Sequence, residues 1–123
     1  MTSTYHAGLL VLRLGMSGLM LTHGLPKFMN LVQGNMDFGD PIGLGSTLSL
    51  ILTVIGEAIC PLLIIIGFKT RLASIPTIIT MAVAAFVVHG ADPIATKEKA
   101  LLYLVGFIVI ALTGAGKFSV DRS

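Results

Sequence analysis

The chain has 123 residues, 54% of them hydrophobic and 11% charged, with a net charge of +2 and a mean hydropathy of +0.94. Soluble domains carry about 25% charged residues, so this chain lacks the polar coat of a water-soluble globule and is read as an integral membrane protein. The small net charge and the lack of a basic run argue against nucleic acid as a partner, and one cysteine, Cys60, excludes an internal disulfide and any C-x-x-C motif.

The first seven residues contain neither Lys nor Arg, and no small-residue cleavage pattern follows the first apolar run. That run is therefore expected to stay as a membrane anchor rather than to be removed as a signal peptide. Crossing the hydrocarbon takes about 20 mainly apolar residues as helix, and four segments meet this requirement, about residues 7–28, 46–67, 71–89 and 93–114. The first ends in "LTHGLPKF", Leu21 to Phe28, where a histidine, a glycine, a proline and a lysine gather at the expected helix end. Next comes "NLVQGNMDFGDPIGLGS", rich in glycine and carrying two Asp; it is too broken to lie as helix in lipid and could cover the mouth of a bundle. Ser46 can cap the second helix. Within that helix Pro61 cannot donate to the carbonyl of Glu57, four residues earlier, which leaves that carbonyl open to another partner. The third helix follows the short basic link "GFKTR". Asp92-Pro93 places a capping carboxylate before a first-turn proline for the fourth. Gly67 and Gly114 fit helix ends.

No internal repeat is evident, and residues 1–123 read as one domain. Short links make successive helices antiparallel, so the expected fold is all-α, an up-down-up-down four-helix membrane bundle. Gly15, Gly18, Gly56 and Gly106, with Ala82 and Ala85, allow close helix contact. Lys69, Arg71, Lys117 and Arg122 lie toward one side, and Lys27, Lys97 and Lys99 toward the other. The excess of basic residues beside the termini places both termini in the cytoplasm.

Ionisable residues inside spans normally face the bundle interior and mark candidate sites. At 1.5 Å of rise per residue, His23, His89 and Glu98 share a layer about 24–27 Å from the cytoplasmic ends. Glu57 and Tyr103 lie deeper, at about 15–17 Å, and Arg13 at about 9 Å. Glu57 reads either as a proton-handling carboxylate beside a cavity or as the partner of Arg13 in a structural ion pair, since a lone buried charge is costly. Lys27 shares a helix face with His23 and can simply snorkel to headgroups. His23 and His89 could hydrogen-bond a quinone carbonyl, ligate a haem iron, or bond backbone carbonyls at helix ends; imidazole changes protonation near neutral pH, which suits coupled proton and electron transfer. On the fourth helix Glu98 is expected to point inward and Lys99 to sit at the rim, with Tyr103 on either face. Cys60 reads as inert packing, and no metal site is expected.

The ordered set "LRLGMSGLMLTHGLPKF", Glu57, "GFKTRLAS", "VVHG" and "EKALLYLVGFIVIALTGAGKFSVD" resembles the DoxX family of small bacterial and archaeal membrane proteins. The resemblance covers essentially the whole chain. It implies a four-helix membrane bundle in the cytoplasmic membrane, related to DoxD, the membrane subunit of a thiosulfate:quinone oxidoreductase. It also implies that the recurrent polar positions are Arg13, His23, Gly24, Lys27, Glu57, His89 and Glu98.

Three functions follow as expectations. In the first, the protein is the quinone-interacting membrane subunit of an oxidoreductase. Glu57 and Glu98 then move protons, His23, His89, Lys27 and Tyr103 bind the cofactor, and Arg13 orients Glu57. Any catalysis would need a soluble oxidoreductase partner, and the bundle could form a homo-oligomer. In the second, the protein is a non-enzymatic scaffold or assembly factor whose polar contacts lock helix packing. In the third, the bundle binds haem b or transports ions.

Overall fold

The computed structural model describes residues 3–34, 43, 45–88 and 90–122. Of the expected cover over the bundle mouth, residues 30–46, residues 35–42 and 44 lie outside the described residues, and so does His89.

Four helical rods account for nearly all of the described chain, without a strand among the described residues. The first runs Ser3–Val32 and does not end at "LTHGLPKF": it passes through Pro26 and continues for more than a turn beyond Phe28. The second begins at Ser46 after Gly45, whose φ of 97° puts it, rather than Ser46, at the cap position. It runs as α-helix over Ser46–Val54, widens to a π turn over Ile55–Ile59 and resumes as α-helix over Cys60–Ile66. Pro61 gives the widening its reason. Proline lacks the N–H that would bond the Glu57 carbonyl, and the amide of Cys60 reaches back instead to Ile55. The third rod is α-helical over Thr70–Val83 and ends in a second π turn, Ala84–Val88. The fourth is Ile94–Thr113, with Pro93 itself at the cap position.

The helices Ser3–Val32, Thr47–Ile66 and Thr70–Val88 are long and apolar enough to cross a membrane. The fourth has 20 residues, but Lys97, Glu98 and Lys99 crowd its first two turns. Large apolar side chains are exposed on every rod, among them Val11, Leu52, Leu72, Ile79, Leu102 and Leu112. An outward apolar surface of this kind suits a lipid environment. Inside, Met20, Cys60, Ile64, Met81, Tyr103, Phe107 and Ile110 form the main core. Leu50, Val54 and Ala58 form a second one against Leu21, Phe28 and Leu31.

Close backbone contact holds the rods at two glycines. A Cβ at Gly24 would collide with the carbonyl of Glu57, so the carbonyl that Pro61 leaves open lies against the first helix. A Cβ at Gly56 would collide with the Thr80 hydroxyl, and Thr77 donates to the Gly56 carbonyl at 2.6 Å.

The other end of the molecule is tied together by Arg13. Its side chain is fully buried and donates to the carbonyls of Ala115 (3.0 Å), Ile64 and Ile65 (2.9 Å each) and Phe118. Ile64 and Ile65 close the second helix, where carbonyls lack intrahelical donors, and a cation is favourable there. The tail is fastened as well: the Val120 amide donates to Ile66 and the Asp121 amide to Gly67. In return, the Asp121 carboxylate accepts from the amides of Lys69 and Thr70 at 2.8 Å each, capping the third helix from 51 residues away. Burial works against the charged form of Asp121, but those amides and the Arg13 charge hold its carboxyl below the ordinary value.

Candidate functional site

The polar residues opposite the Arg13 end converge on one cavity of about 260 Å³, lined by Met20, His23, Lys27, Glu57, Met81, Ala84, Lys99, Ala100 and Tyr103. All four rods contribute to it. His23 and Lys27 come from the last turns of the first helix, one turn apart on the same face. Glu57 is presented by the π turn at Ile55–Ile59, and Ala84 opens the second π turn. Single π turns inside α-helices recur at functional sites, because the extra residue re-aims the side chains around it.

The central contact is an ion pair. Lys27 Nζ lies 2.8 Å from Glu57 Oε1 and 2.9 Å from Oε2. The Glu57 side chain is only 4% exposed, whereas that of Lys27 is 32% exposed and looks into the cavity mouth. A carboxylate this deep needs such a partner, since removing it from water unpaired costs several kcal/mol. Beside the pair, the His23 and Tyr103 rings meet edge to face, centroids 5.8 Å apart at 81°. Tyr103 in turn stacks on buried Phe107, with centroids 6.5 Å apart. Met20 and Met81 supply a soft apolar wall.

The expected site residues divide accordingly. His23, Lys27, Glu57 and Tyr103 stand together around the cavity. Arg13 does not join them. Its guanidinium is spent on backbone carbonyls at the far end, and the partner of Glu57 is Lys27, which reaches inward rather than merely snorkelling out. Glu98 is exposed and absent from the cavity wall, while Lys99, also exposed, lines it at the rim; the fourth helix presents Ala100 and Tyr103 inward, in place of the expected Glu98. Lys99 and Tyr103 are four residues apart and so share a face, a spacing that could have pointed to this arrangement. His89 lies outside the described residues. Ala84 and Met81 carried no sequence signal as site residues; they line the cavity because the third helix ends beside it. Among the described residues no three of His, Cys, Asp and Glu cluster as metal ligands would.

Comparison with known proteins adds a family and two relatives. The family model described as DoxX matches residues 8–90. The chain is 32% identical to an uncharacterized protein of Haemophilus influenzae over 122 residues, covering 90% of this chain and 86% of that one. It is 30% identical to the Bacillus subtilis protein named "Putative oxidoreductase CatD", covering 98% of this chain and 90% of that protein. No solved structure matches the chain.

Proposed function

The chain belongs to the DoxX family, and from that premise we propose that it is the quinone-binding membrane subunit of an oxidoreductase. In this reading four helices cross the bacterial or archaeal cytoplasmic membrane up-down-up-down, with both termini in the cytoplasm. A soluble partner delivers the electrons. The oxidoreductase name of the Bacillus subtilis relative is consistent with that chemistry.

The observation that carries the proposal is the cavity itself, where a buried carboxylate, an imidazole, a phenol and two ammonium groups face one small space with thioether walls. A quinone ring needs donors for its carbonyl oxygens and apolar surface for its faces, and this lining offers both. The volume of about 260 Å³ suits one such ring rather than a porphyrin. Bound quinone would supply a two-electron, two-proton acceptor. Around it, His23 and Tyr103 would hydrogen-bond a carbonyl oxygen, and Lys27 fixes the Glu57 carboxyl group at the cavity wall. Glu57 exchanges protons with the cavity through the ion pair.

The test is the quinone content of the protein purified in mild detergent, measured by extraction and chromatography. Wild type should carry bound quinone, and His23→Ala or Tyr103→Phe should lower it several-fold. A wild type free of quinone, or variants that keep a full load, would overturn the proposal. The scaffold reading draws on the Arg13 lock and the Thr77–Gly56 bond, which tie helices together without facing the cavity. It predicts a partner protein that co-purifies equally with wild type and with the His23 variant.

A further inference from the structure

Two ammonium groups line the cavity, and among the described residues only one of them meets a carboxylate. Lys27 is matched by Glu57 through both carboxylate oxygens. Lys99 lines the same cavity, yet among the described residues it makes no ion pair and no hydrogen bond. Its neighbour Glu98 leaves by a different face, and the other titratable groups on the wall, His23 and Tyr103, are neutral or cationic when protonated and cannot answer an ammonium. Among the described residues of the wall, Lys99 is thus an ammonium with no carboxylate beside it. The apolar walls of the cavity are Met20, Met81, Ala84 and Ala100, which screen a charge less than water does. The Tyr103 ring, about 9% exposed, is the aromatic surface on that side, and its hydroxyl is likewise without a hydrogen bond among the described residues.

From this arrangement we infer that the cavity selects quinonoid ligands bearing an ionised ring oxygen, with Lys99 as the residue that sets the preference. The inference rests on the quinone reading above and narrows it to a substrate class. The ammonium of Lys99 pairs with the charged oxygen, and the Tyr103 hydroxyl is free to donate to the same oxygen or its neighbour. Charge-assisted bonds of this sort are roughly twice as strong as neutral ones, so the preference over an uncharged quinone of like size is large. Because Lys99 is solvent-exposed and bonded to nothing else among the described residues, its replacement leaves the packing intact.

Two probes of like shape separate the terms: 2-hydroxy-1,4-naphthoquinone, which is ionised at neutral pH, and 2-methyl-1,4-naphthoquinone, which has no acidic ring hydroxyl. Binding of each to the full chain in detergent is measured by calorimetry at fixed neutral pH. The hydroxyquinone should bind tenfold or more tightly than the methylquinone. Lys99→Gln should abolish the difference by weakening hydroxyquinone binding more than methylquinone binding, and Lys99→Arg should keep it. Equal affinities in wild type would overturn the charge preference and leave the quinone reading standing. A preference that survives in Lys99→Gln would overturn the role of Lys99. No binding of either probe would overturn both readings together.

Discussion

Lys27 Nζ bridges both carboxylate oxygens of Glu57, at 2.8 and 2.9 Å, while the Glu57 backbone carbonyl lies against Gly24 on the same helix as Lys27. One turn of the first helix thus holds Glu57 twice, by its side chain and by its backbone.

The two members of the pair should not be equally costly to remove. Lys27→Met leaves a carboxylate that is 4% exposed without its cation, and should cost about 3 kcal/mol of stability. Glu57→Gln leaves an ammonium that is 32% exposed and retains a hydrogen-bond acceptor, so about 1.5 kcal/mol is expected. The double variant should be more stable than Lys27→Met alone. Thermal unfolding of the four proteins in one detergent gives the coupling directly; equal losses for the two single variants would contradict the burial difference.

Gly24→Ala should destabilise although alanine is the better helix former. The added methyl has no room beside the Glu57 carbonyl, and separating the two helices should cost about 1–3 kcal/mol. Gly15→Ala, where a Cβ meets nothing, serves as the control and should be neutral or stabilising. A melt in which both variants behave alike would rule out close approach as the reason for Gly24.

Replacing Arg13 should be the most damaging single change outside the cavity. Arg13→Lys keeps the charge, but its compact ammonium cannot reproduce a planar fork that serves carbonyls on both the second helix and the tail. A loss of about 3–5 kcal/mol is expected, visible as lower yield and melting temperature. Cavity-ligand affinity of the folded fraction should be unchanged, because Arg13 does not line the cavity.

Asp121 should make stability fall in acid. Its folded pKa is depressed below 3.8, so the stabilisation is present above that value and is lost as the pH falls through the lower folded value. Asp121→Asn should melt below wild type at neutral pH, and the gap should close as the pH drops below about 4. A gap independent of pH would assign the effect to the lost oxygen geometry rather than to charge.

The number of helices and most of their extents were readable, because apolar length and the glycine- and proline-marked links depend on local chemistry. The end of the first helix was not. Pro26 looks like a stop, yet a proline can stay inside a helix when packing holds it, and the Leu31 and Phe28 contacts with the second core carry the helix on to Val32. At the site, sequence depth brought His23 and Glu57 into the right region but gave height along the axis without angle around it. By height Arg13 stands about 6 Å below Glu57 and Lys27 about 14 Å above it, so depth favoured Arg13, whereas the packed helices pair Glu57 with Lys27. The two π turns compound the problem, since each rotates the residues beyond it away from the face that a 3.6-residue period assigns. For the same reason Glu98 and Lys99, one position apart, could not be assigned to inside and outside without the packing of Ala100 and Tyr103.

The Arg13 lock also bears on how the molecule comes into being. Its acceptors lie 51, 52, 102 and 105 residues downstream, so the guanidinium emerges long before any of them exists. At about 5–20 residues per second, its last partner, Phe118, is made about 5–20 s after Arg13 itself. Through that interval the first helix carries a guanidinium without the four carbonyls it ends on, so the lock can close only once the tail has been made.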